Sequence, residues 1–110
     1  MGQKGETKAV KFLKEHHYEI LDINIRNKNS EVDIVAWDKK HNEVAFIEVK
    51  TRGSNFYGDP SVAVTKKKID SMERVARAYL KAKRLFKDYR FDIIAVTPEG
   101  VKHFENVSWL

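Results

Sequence analysis

Asp33, Glu48 and Lys50 are two carboxylates and an ammonium group that two short apolar runs bring within reach of one another. Such a trio can hold a divalent metal against a phosphodiester, because oxygen ligands suit a hard cation and a nearby ammonium stabilises negative charge. The flanking runs, residues 31–37 and 43–51, are rich in β-branched and aromatic residues and read as strands. Residues 38–42 between them have the polar make-up of a hairpin turn. With that turn centred between Lys40 and His41, paired residues have numbers summing to 81. Asp33 then lies across from Glu48, with Cβ atoms roughly 4.5–5.5 Å apart. Lys50, two residues beyond Glu48, shares its face. Carboxylates this close repel unless positive charge lies between them. The same three residues also satisfy an ordinary cross-strand salt-bridge cluster. A one-residue slip in register would turn Asp33 to the other face.

The elements that must position these groups follow from periodicity. Residues 6–18 predict an amphipathic helix with Ala9, Val10, Leu13 and His17 on one side, and Glu6 falls on the same stripe. Residues 18–25 alternate as a strand, with Ile20, Asp22 and Asn24 opposite Leu21, Ile23 and Ile25. Residues 51–60, with two glycines and a proline, predict a long loop. A second helix is predicted over 65–86, capped by Thr65, with Ile69, Met72, Ala76, Tyr79, Leu80 and Lys83 inward. Residues 91–96 read as a strand buried on both faces, with Asp92 and Arg90 in structural roles. A turn at 98–100 leads into a peripheral strand over 101–107. The order α-β-β-β-α-β-β, with a helix joining the Glu48 strand to the Phe91 strand, implies a parallel crossover. The fold class is therefore α/β, a mixed sheet with helices on its faces.

The chain has 110 residues and a net charge of +5, and reads as a single domain, 1–110. Residues 65–90 hold ten Lys/Arg against three acids, a plausible footprint for a phosphate backbone or a solvated helix face. Lys66, Lys67, Lys68 and Arg74 are its candidate contacts. Arg52 is a candidate grip on the scissile phosphate, and Tyr57 with Phe56 are candidates for base stacking. No apolar run reaches the roughly 20 residues of a membrane span. The first residues carry no secretory pattern, and cysteine is absent, which suits a cytoplasmic protein. His16, His17, His41 and His103 share no metal-ligand spacing, so no zinc site is expected.

Gly5-Glu6, Glu31-Val32-Asp33 and Phe46-Ile47-Glu48-Val49-Lys50-Thr51-Arg52 resemble the bacterial YraN family, as do Gly58-Asp59-Pro60, Ala63-Val64, Lys68 and Arg90-Phe91-Asp92. The resemblance runs from about Gly5 to about Val107. That family is similar to the restriction-endonuclease-like superfamily of PD-(D/E)xK nucleases, archaeal Holliday junction resolvases among them. The resemblance implies a restriction-endonuclease-like mixed sheet. It places the superfamily motif on Asp33, Glu48 and Lys50 and the additional helix glutamate on Glu6. Ser30 stands where family members commonly have glycine, which predicts a local change in loop geometry. Val32 stands where the superfamily's name has proline.

The implied activity is a metal-dependent endonuclease acting on DNA, with branched or structured DNA as the analogue of the resolvase substrate. Asp33, Glu48 and the Val49 backbone carbonyl would hold Mg²⁺, or Mn²⁺. Lys50 would orient the attacking water or stabilise the charged transition state. Glu6 would hold a second metal or one of the first metal's waters, and it equally suits a helix N-terminus as a structural acid. The rival reading is a non-catalytic nucleic-acid-binding module using the basic 65–90 helix; a third is docking of that helix on an acidic partner. No base-reading or 2′-hydroxyl-reading motif is evident, so DNA over RNA follows from the resemblance alone. Cutting both strands of a junction needs two active sites, which a homodimer would supply.

Overall fold

Along the third strand the side chains alternate cleanly: Val44 and Phe46 enter one hydrophobic cluster, Ala45 and Ile47 the other. That period of two is what a strand buried on both faces requires. The computed structural model describes residues 2–53 and 65–107. Its elements are α1 (Gly2–Glu15), β1 (Tyr18–Asn27), β2 (Ser30–Asp38), β3 (Glu43–Thr51), α2 (Lys66–Lys83), β4 (Tyr89–Thr97) and β5 (Gly100–Phe104). The five strands form one open sheet in the order β1-β2-β3-β4-β5. Only β3 and β4 run parallel; the other neighbours are antiparallel. The fold is thus the mixed α/β arrangement expected, in the element order α-β-β-β-α-β-β.

Each helix covers one face. Ala9 and Leu13 of α1 pack on Ile34, Ala36, Ile47 and Ile94. Met72, Val75, Ala76 and Leu80 of α2 pack on Val35, Phe46, Phe91 and Ile93. Thr65 caps α2 as predicted, its hydroxyl accepting the Lys68 N–H at 3.1 Å.

Several boundaries differ from expectation. Helix α1 ends at Glu15 because His17 turns left-handed (φ 69°), so His17 is exposed and Tyr18 opens β1 instead. Helix α2 ends at Lys83, with Arg84 left-handed (φ 54°), and Phe86 is 91% exposed. Lys83 is exposed rather than inward, its ammonium 5.8 Å from the centre of the Tyr79 ring, and Val75 takes a place on the buried stripe. Strand β5 ends at Phe104, and Val107 is buried beyond it. The predicted loop over 51–60 lies mostly outside the described residues, as do Phe56, Tyr57, Gly58-Asp59-Pro60 and Ala63-Val64.

The largest departure is in β1. Its register against β2 shifts between Ile20 and Asp22, and Asn24 adopts a left-handed conformation (φ 51°). The simple alternation predicted for residues 18–25 is therefore broken. Leu21 and Ile25 pack on the α2 side, while Ile23 is 49% exposed. Asn24 and Asp33 fall between the Ile23–Ile34 and Ile25–Val32 pairs. Val32 and Ile34, two residues apart, consequently enter opposite clusters. Asp33 stands at that break.

Candidate functional site

The β2–β3 register is the one the turn predicts, from Asp38 opposite Glu43 to Ile34 opposite Ile47. Pairing stops there, so Asp33 and Glu48 are the next residues out, where the two strands part. The expected direct carboxylate pair across the ladder is replaced by a backbone contact. Asp33 Oδ2 accepts the Val49 N–H at 2.7 Å. Burial raises the Asp33 pKa above its ordinary value; the Val49 hydrogen bond opposes this, and the charges of Glu48, Glu6 and Glu31 reinforce it.

Glu48 follows Val44 and Phe46 in the alternation and so projects on the α2 side. One oxygen meets Lys50 Nζ at 2.9 Å and the other meets Lys68 Nζ at 2.6 Å. Burial pushes Glu48 up, but hydrogen bonds and charge from Lys68 and Lys50 outweigh it and hold the carboxyl below its usual range. Glu48 and Lys50 are therefore brought together as expected, with a third member that sequence reasoning had placed among the nucleic-acid contacts. The signal was available: a crossover helix begins over the carboxyl end of the strand before it, so a lysine in its first turn faces that strand's last residues.

Glu6 reaches the site from the other side of the sheet, close enough for its charge to act on Asp33. Gly5 makes this approach feasible, since a Cβ there would collide with the Thr51 hydroxyl at the end of β3. Ser30 does not take up positive φ; in the two-residue turn between Asn27 and Ser30 the left-handed residue is Lys28 (φ 58°).

The remaining candidates are dispersed. Arg52 donates its N–H to the Val96 carbonyl and its guanidinium to the Thr51 carbonyl, and lines a cavity of about 390 Å³ with Gly5, Lys8 and Thr97. Lys66 pairs with Asp70 at 3.1 Å, and Lys67 and Arg74 are exposed on α2. Tyr57 lies outside the described residues.

Among the described residues, the carboxylate and imidazole ligand atoms that gather in threes within 4.8 Å belong to Asp38, His41 and Glu105, not to Glu6, Asp33 and Glu48. A resident cation already fills that place. Arg90, almost fully buried, meets Asp38 at 2.8 Å, Glu43 at 2.9 Å, Asp92 at 3.0 Å and Glu105 at 3.4 Å. Arg90 and Asp92 are thus tied into one buried ion-pair network, an arrangement that suits the structural role expected of them. Their cluster lies beside Ala45 on the α1 side, at the other end of β3 from Glu48.

A model described as "Uncharacterised protein family UPF0102" matches residues 5–96, a span that contains Glu6, Asp33, Glu48, Lys50 and Lys68. A UPF0102 protein of Geobacter metallireducens is 41% identical over 96% of this chain and 89% of its own length. One from Thermotoga maritima is 41% identical over 98% of this chain and 95% of its own. One from Caldicellulosiruptor saccharolyticus reaches 48% over 87% of this chain and 80% of its own. With its family model matched over most of its length and relatives of this similarity, the chain belongs to the UPF0102 family.

Proposed function

We propose that this protein is a metal-dependent endonuclease of the restriction-endonuclease-like type, as the resemblance to YraN proteins implies, hydrolysing phosphodiester bonds in DNA. The observation that carries the reading is Glu48, held ionised between Lys50 and Lys68 beside the half-buried carboxyl of Asp33 at the carboxyl end of β3. The donor set suits Mg²⁺ or Mn²⁺: Asp33, Glu48 and the Val49 carbonyl offer only hard oxygen ligands. Two ammonium groups already lie within 2.9 Å of Glu48, so the position draws cations, while Asp33 carries negative charge that its surroundings leave under-compensated. When bound, a dication there would neutralise phosphate charge and make water a better nucleophile.

The chain's own groups do the rest. Lys50, oriented by Glu48, stabilises negative charge developing on the phosphate and orients the attacking water. Asp33 is fixed in direction by the Val49 N–H. Glu6 adds a third carboxylate from α1, suited to a second cation. Branched or structured DNA is the substrate class implied by analogy with resolvases, and a homodimer would supply two cuts.

The test is cleavage of linear, single-stranded and four-way-junction DNA with Mg²⁺, Mn²⁺ or chelator, beside Asp33→Ala and Lys50→Ala. Metal-dependent cleavage lost in both folded variants is the expected result. Full activity in either variant overturns the assignment. Chelator-insensitive, salt-sensitive binding without cleavage would favour the binding module.

A further inference from the structure

A polar cavity of about 330 Å³ shares Lys68 with the Glu48 site, and the rest of its lining has no place in the catalytic reading. It lies between the turn joining β1 to β2 and the first turns of α2. Arg26 and Lys28 line it from the turn, Lys68 and Ser71 from the helix, and Ser30 and Glu31 from the start of β2. Three cations thus line it with one carboxylate; Glu31 is committed to Arg26 at 3.1 Å and Lys68 is shared with Glu48 outside the lining, which leaves Lys28 uncompensated. The cavity is left with a surplus of positive charge.

Its hydroxyls suit an anion as well. Ser71 Oγ donates to Ser30 Oγ at 2.7 Å. A serine that accepts in this way retains its own proton to donate. Ser30 is only 6% exposed, so that donor belongs to the cavity rather than to open solvent.

Lys68 joins the two places. The side chain that lines this cavity also sets its ammonium 2.6 Å from Glu48. A nucleic-acid strand presents phosphates at short, regular intervals, about one per 3.4 Å of rise. A strand with one phosphate at Glu48 and Lys50 therefore carries a neighbouring phosphate over Lys68. We propose that this cavity binds the phosphodiester backbone of the DNA strand beside the bond to be cut, with Arg26, Lys28 and Lys68 as its cations and Ser30 as its hydroxyl donor. The proposal rests on the endonuclease reading for the identity of the neighbouring site and extends it to the path of the strand.

The test uses the full chain and a fluorescently labelled DNA duplex, with binding followed by anisotropy in chelator across a salt series and cleavage measured separately with Mg²⁺. Lys28 and Arg26 are both exposed, so Lys28→Ala and Arg26→Ala are expected to keep the fold. Lys81→Ala, about 20 Å along α2 from Lys68, is the control. Lys28→Ala is expected to weaken binding several-fold and to lower the slope of log affinity against log salt by about 0.9, the share of one phosphate contact. Arg26→Ala, which frees Glu31 to face the cavity, is expected to weaken it further. Lys81→Ala is expected to match the wild type. If the wild type cleaves while Lys28→Ala and Arg26→Ala bind as it does, this inference is overturned and the endonuclease reading stands. If the predicted binding losses appear in a chain that cleaves nothing, the cavity stands and the endonuclease reading falls. A wild type that binds no DNA overturns both.

Discussion

Replacing Arg90 with methionine probes a dense buried charge cluster. Among the described residues, the guanidinium lies within 3.4 Å of four carboxylates, and two of these, Asp92 and Asp38, are essentially inaccessible to water. Methionine fills much of the volume but leaves those acids uncompensated, a change that costs about 3–5 kcal/mol for a buried pair. Other partners moderate the loss. Asp38 keeps the backbone N–H groups of Lys40 and His41 and the His41 ring. Asp92 keeps His103 and the Asn106 N–H. The lower end, about 3 kcal/mol, is therefore expected, a large part of the roughly 5–15 kcal/mol that holds such a domain together.

The pH dependence gives a sharper reading than the magnitude. In the wild type, burial alone would raise the Asp38 pKa, but His41 and Arg90 hold it well below the ordinary value. A depressed carboxyl contributes stability that is present above its unfolded pKa, about 3.9, and is lost as pH falls toward the folded one. Without Arg90 the burial effect gains ground and the folded pKa of Asp38 rises, so the variant loses less stability than the wild type as pH falls. Urea unfolding of both proteins from neutral to mildly acidic pH should thus show a gap that narrows as pH falls. A loss below about 1 kcal/mol, or a gap that stays constant with pH, would refute the reasoning.

Two further substitutions address the candidate site. Asp33 has a raised folded pKa, so its ionised form costs stability that is regained as pH falls through that pKa. Asp33→Asn, which keeps an acceptor for the Val49 N–H, should melt higher than the wild type near neutral pH and lose that advantage below about pH 4; a lower melting temperature at neutral pH would count against it. Lys68→Met removes one of the two cations on Glu48. If the lysine competes with a dication for that carboxylate, a pair worth about 1 kcal/mol predicts Mn²⁺ binding about five-fold tighter by calorimetry. Unchanged or weaker Mn²⁺ binding would show that Lys68 does not compete.

The parts of the fold that were legible in the chain are those set by local chemistry. The polar run at 38–42 determines where the hairpin turns, and the apolar runs beside it determine which faces pair, so the register from Asp38–Glu43 to Ile34–Ile47 follows. Thr65 marks the start of α2 because its hydroxyl has an orphan N–H to satisfy. The breaks in β1 were hidden, since a left-handed asparagine leaves hydrophobic period and composition unaltered. Asp33, beside that break, looks like a regular strand residue in the sequence for the same reason. Lys68 and Glu48 are twenty positions apart, and only the packing of α2 on β3 makes them partners. Likewise His16, His17, His41 and His103 have no common spacing, yet all four line one cavity of about 340 Å³. Arg90 draws its carboxylates from Asp38 on β2, Glu43 on β3 and Asp92 on β4, a set that no window of sequence contains.

The irregularity of β1 also bears on how copies of this chain could meet. A ten-residue strand at the rim of an open sheet would ordinarily offer a long unpaired row of N–H and C=O groups, a template for adding a foreign strand. Here the register shift after Ile20 and the left-handed Asn24 divide that row into short pieces and twist them out of line. The opposite rim, β5, is only five residues long. Among the described residues, neither border of the sheet presents a long, straight template, so continuation of the sheet from one molecule into the next through β1 or β5 is disfavoured both as a route to aggregation and as a mode of dimerisation. Two copies cooperating on one DNA would have to join through side-chain surfaces, and such an association can be tuned by substitution without disturbing the ladder that holds Asp33 and Glu48.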